Sequence, residues 1–99
     1  IAELQKSNSG GSCSEFKNNL YFGLKNSQEV KCLQSFLKSQ SSNIYPEGLV
    51  TGNFGTLTRL AVIRFQEKYV SEILTPLGFS KGTGIVGPAT RTKINQMLK

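Results

Sequence analysis

The side chains that could carry covalent or acid–base chemistry are few and badly spaced for it. The chain has no histidine, two cysteines (Cys13 and Cys32) and six carboxylates. Without an imidazole a Ser-His-Asp arrangement is impossible, and a thiol nucleophile has no base beside it. Two cysteines alone do not supply the three or four ligands that a zinc site needs. Glu3, Glu15, Glu29, Glu47, Glu67 and Glu72 stand singly along the chain, with no pair set for acid and base work. The sequence therefore predicts no catalytic residue, no metal site, no cofactor and a non-enzymatic role.

What remains is binding chemistry. Twelve Lys/Arg against six Asp/Glu give a net charge of +6, which favours an anionic partner: nucleic acid, an acidic lipid surface or a cell-wall polymer. Polar and aromatic groups converge on one stretch, where Tyr45, Thr51, Asn53 and Thr58 fall on a loop between helical patterns. Loops held by a rigid scaffold are where binding residues concentrate. The structural alternative is that Tyr45 covers the core and Thr58 caps a helix.

The elements that must position these groups read as helices. Ser27 is placed to cap a first helix over 28–39, whose Val30, Leu33 and Leu37 form an apolar stripe with Phe36 and Cys32 to one side. A second helix over 56–73 carries Ala61, Val62, Phe65, Tyr69 and Ile73 on one face, and a third over 88–98 turns Ile94, Met97 and Leu98 inward. The pattern predicts an all-α fold, a compact three-helix bundle with long ordered loops. The second and third helices are entered by one phrase used twice: TGNFGTLTR, Thr51 to Arg59, returns as TGIVGPATR, Thr83 to Arg91. Pro88 suits the first helical position, so Gly87 and by analogy Gly55 are N-caps. Gly52 and Gly84 allow a tight turn of positive φ that drives Phe54 and Val86 inward as plugs. Thr58 and Thr90 fall at the third helical position, where a hydroxyl can reach back to the cap.

Residues 1–12 end in a Gly/Ser-rich run and read as a flexible linker, leaving residues 13–99 as one domain cut from a longer protein. No apolar run is long enough for a membrane span. Cys13 sits where the linker ends and Cys32 on the first helix, so a disulfide between them would staple 14–26 to the bundle. The alternative is a buried filler and an incidental thiol. A bridge implies an oxidising, extracytoplasmic location.

Three motifs in order, Ser27-x-Glu29-Val30-x-x-Leu33-Gln34-x-x-Leu37, Gly52-x-Phe54-Gly55-x-x-Thr58-x-x-Ala61-Val62-x-x-Phe65-Gln66 and Gly84-x-Val86-Gly87-x-x-Thr90-x-x-x-Ile94-Asn95, make residues 20–98 resemble the peptidoglycan-binding type 1 domain. The sequence departs from the family pattern in the long stretch 69–81 and in Thr83, which replaces a frequent Asp. The resemblance implies a three-helix module that holds an envelope or secreted protein to peptidoglycan or another anionic wall polymer, as a monomer when isolated. On that reading Tyr45 stacks on a sugar or peptide face and Asn53 and Thr58 hydrogen-bond peptide-stem or glycan polar groups, with Thr51 a further ligand-binding residue of the same loop. Two other classes stay open. One is a basic nucleic-acid-binding domain, disfavoured because 77–87 is far longer than a helix-turn-helix turn. The other is an adaptor that packs Leu57, Leu60 or Ile63 on a neighbouring domain.

Overall fold

The structure is a computed structural model that describes residues 13–99; the segment 1–12, expected to be a linker, lies outside the described residues. Helix α1 spans Gln28–Gln40, α2 Thr56–Lys68, α3 Val70–Ile73 and α4 Pro88–Leu98, with a 3₁₀ turn at Thr75–Leu77. The described residues form no strand, only an isolated antiparallel bridge between Leu20 and Val86.

Local chemistry sets most of these bounds. The Ser27 hydroxyl accepts from the Val30 N–H at 3.1 Å, and Glu29 lies in the first turn near the positive end of the helix dipole. Gly55 and Gly87 are the N-caps of α2 and α4, and Gly52 and Gly84 have φ of +84° and +81°. Neither α2 nor α4 has a side-chain cap, so Thr58 and Thr90 do not reach back as expected. Their hydroxyls turn inward, as described below.

The expected helix over 56–73 is two helices, so the described residues form four helices where three were expected. It breaks at Tyr69, whose φ of −112° and ψ of 43° leave the helical region. A straight helix would bury Ile73 and turn Leu74 almost to the opposite side; after the break both are fully buried. Tyr69 packs its ring on Phe65 at 5.1 Å, and Lys93 of α4 lies 4.7 Å over that ring while bonding Glu72 at 2.7 Å. The core otherwise follows the apolar stripes: Val30, Leu33, Leu37, Phe54, Val62, Phe65, Val86 and Ile94 are all buried. Leu98 is an exception, 36% exposed at the end of α4.

The segment before α1 belongs to the fold. Phe16 and Leu20 are buried, Phe16 exchanges two hydrogen bonds with the Asn95 side chain, and a Cys13–Cys32 disulfide joins the segment to α1. In the loop-entropy view, closing a loop of this length stabilises by about 3 kcal/mol.

Candidate functional site

Two buried glutamines organise the loops that precede α2 and α4. The Gln34 side chain is 1% exposed and its amide serves the first loop on both edges. Its Oε1 accepts from the N–H groups of Thr51 (2.8 Å) and Gly52 (3.0 Å). Its Nε2 donates to the Asn53 carbonyl (3.1 Å) and the Thr58 hydroxyl (3.0 Å). Gln66 repeats this atom for atom in the second loop: Oε1 accepts from Thr83 N–H (2.8 Å) and Gly84 N–H (3.0 Å). Its Nε2 donates to the Ile85 carbonyl (2.8 Å) and the Thr90 hydroxyl (3.1 Å). In each copy the glutamine precedes its threonine by 17 residues, so the repeat is a helix plus a loop rather than the loop alone. A buried amide that meets both donors and acceptors fixes a loop better than apolar packing does, because each group left unpaired would cost free energy.

The segment 20–24 joins the copies. Leu20 and Val86 exchange N–H···O bonds of 3.1 and 2.8 Å; Gly23 N–H donates to the Phe54 carbonyl (2.9 Å) and Phe54 N–H to the Leu24 carbonyl (2.8 Å). Both plug residues are therefore clamped by the same short strip of backbone.

The four expected ligand contacts do come together, lining one shallow cavity of about 240 Å³ with Leu49 and Leu57. Their roles differ. Tyr45 is 3% exposed and its hydroxyl donates to the Leu49 carbonyl, so its ring is floor and presents no stacking face. Thr58 is 2% exposed and committed to Gln34. Thr51 and Asn53 are exposed at the mouth. The Asn53 Oδ1 accepts from Asn26 N–H at 3.1 Å, and its Nδ2 has no hydrogen-bond partner among the described residues. The equivalent concavity of the second copy, about 340 Å³, is apolar, walled by Leu77, Phe79, Ile85 and Pro88 above Thr90. The copies thus share a scaffold and differ in surface chemistry.

The sequence reading missed the exposed aromatic pair Tyr21 and Phe22, 48% and 58% exposed beside both loops. An aromatic dipeptide followed by Gly23 was the available signal. It assigned no role to Gln34 or Gln66, although each stands at the same distance from its copy of the phrase. The adaptor face is smaller than expected, since Leu57 is exposed but Leu60 and Ile63 are half-buried. Two cations of the basic helix α4 are engaged within the fold, Lys93 with Glu72 and Arg91 with the Lys17 carbonyl. Among the described residues no His, Cys, Asp and Glu cluster could hold a metal, and no helix is long and apolar enough to cross a membrane.

No curated protein and no solved structure matches the chain. The family model of the peptidoglycan binding domain matches residues 26–94, a span that takes in α1, both loops, α2 and most of α4. The chain, whose matched span holds both glutamine-pinned loops, belongs to the peptidoglycan-binding domain family.

Proposed function

We propose that residues 13–99 form a non-catalytic module that holds a larger envelope or secreted protein to peptidoglycan. The observation that carries this reading is the family match over 26–94, which includes both pinned loops. Thr51 and Asn53 contact the polymer at the mouth of the first loop; Tyr45 and Thr58 hold that mouth in shape from below. The domain works outside the cytoplasmic membrane, a location with which the Cys13–Cys32 bridge agrees because disulfides persist in oxidising compartments. It acts as a monomer and needs no cofactor. Engagement of Arg91 and Lys93 within the fold leaves α4 poorly equipped to enter a DNA groove.

Co-sedimentation with purified sacculi, with and without teichoic acids and against a duplex DNA control, tests the reading. The domain is expected to pellet with sacculi of both kinds and not with DNA. Failure to pellet with either preparation would refute wall binding, and loss of binding on removing teichoic acids would move the ligand to those polymers.

A further inference from the structure

Three segments converge on the end of the molecule that carries the loops: 18–24, 48–58 and 82–90. None holds an Asp, Glu, Lys or Arg, in a chain with twelve Lys/Arg and six Asp/Glu. The hydrogen bonds of Leu20 with Val86 and of Gly23 and Leu24 with Phe54 bring the three together, and charged side chains meet them only from outside the segments: Glu29 bonds Asn18, Glu67 bonds Gly82 N–H, and the Lys31 and Arg59 stems lie against Gly52 and Gly84. Charges resume at the sequence borders of the segments, at Lys17, Lys25, Arg59, Lys81 and Arg91, with Glu47 the one acidic border. A binding face for a polyanion would carry cations at its centre. This face is built from neutral residues and has charges of both signs at its edges, Glu29 and Glu67 among them.

At the centre stand Tyr21 and Phe22. Their turn is fixed on one side by the Leu20–Val86 pair and on the other by the Gly23–Phe54 bond, and Leu24 N–H closes it on the Tyr21 carbonyl at 3.3 Å. Gly23 takes the left-handed conformation the turn requires, φ +105°. Two rings about half exposed are thus presented on a backbone that has little freedom left to lose on binding. The exposed Ile85 follows across the Leu20–Val86 bridge, and at the Phe54 end of the strip Asn53 accepts from Asn26 N–H through Oδ1 and keeps Nδ2 without a hydrogen-bond partner among the described residues. Aromatic rings offer an electron-rich face to C–H groups, and an amide donor suits hydroxyl and acetamido oxygens. A pyranose chain presents that combination: flat C–H faces, hydroxyls and no charge on its N-acetylglucosamine units.

We propose that this face binds the glycan strand of peptidoglycan, with Tyr21 and Phe22 stacking on sugar rings, and that the stem peptides are at most rim contacts. The inference rests on the wall-binding reading and narrows it. The test is competition for sacculi by the full chain, using a β-linked N-acetylglucosamine oligomer as one competitor and free stem peptides as the other. The oligomer is expected to displace the domain and the peptides to leave it bound. Tyr21→Ala with Phe22→Ala is expected to weaken sacculus binding by about tenfold or more, while Tyr21→Phe and Phe22→Tyr, which keep the rings, stay within about twofold. Because both rings are exposed, the melting midpoints should hardly move. If the parent domain pellets with sacculi but only stem peptides compete, or the double alanine variant binds like the parent, the glycan assignment falls and wall binding stands. If the parent does not pellet, both fall.

Discussion

Gln34 and Gln66 are the buried residues on which the shape of the two loops, and with it the proposed binding surface, depends. Replacing Gln34 by methionine keeps the volume and removes the amide, stranding the N–H groups of Thr51 and Gly52. With an unpaired buried donor costing about 1–3 kcal/mol, Gln34→Met is expected to lose about 2–4 kcal/mol in urea unfolding, and Gln66→Met about the same. A loss under about 0.5 kcal/mol would show that the network contributes nothing net. Phe54, 2% exposed between two glycines, is expected to cost about 3–5 kcal/mol when cut to alanine; below about 1 kcal/mol it would have to be a surface residue. Tyr45→Phe removes only the bond to the Leu49 carbonyl, so about 1 kcal/mol of stability should go while sacculus binding stays. Weakened binding by that variant would return Tyr45 to the contact list. Residue identity made Phe54 and Val86 readable as plugs, since apolar side chains between glycines have few other places to go. Tyr45 was harder: a ring with a polar tip suits a surface and a core equally, and only the position of the Leu49 carbonyl decides.

At the scale of elements, the repeated phrase sets a turn, a plug and a helix start, and its glycines divide by role. A Cβ on Gly84 would lie 2.8 Å from Arg59 Cγ at a φ of +81°, whereas nothing lies within 4 Å of one on Gly87, whose φ is −98°. Gly84→Ala and Gly52→Ala are therefore expected to destabilise by about 1 kcal/mol or more, and Gly55→Ala and Gly87→Ala by only a few tenths. Equal effects at the four positions, measured by thermal unfolding, would contradict this division. Three of the four helices among the described residues were legible because capping residues and stripes agree, as at Ser27 with Val30, Leu33 and Leu37. The break at Tyr69 was not, because no Gly or Pro marks it. It arises from the tertiary demand to bury Ile73 and Leu74 together, which overrides local preference.

The whole molecule combines a net charge of +6 with three loop segments that hold no charged residue, and this contrast distinguishes the proposed wall binding from general attraction to polyanions. Stacking and neutral hydrogen bonds are little screened, so sacculus binding should fall by no more than about threefold between about 0.05 M and about 0.5 M NaCl. A steep log–log loss with salt would instead indicate counterion release from a charged polymer. Composition showed the excess charge, but that three segments without charged residues share one face became visible only once the fold brought them together. The most direct test of that face is an amide NMR map of the full chain titrated with solubilised sacculus fragments. The account predicts shifts clustered in 18–24, 48–58 and 82–90, with the ring protons of Tyr21 and Phe22 moving alongside them. Shifts confined to α1 or the exposed side of α4, with those three segments silent, would contradict it.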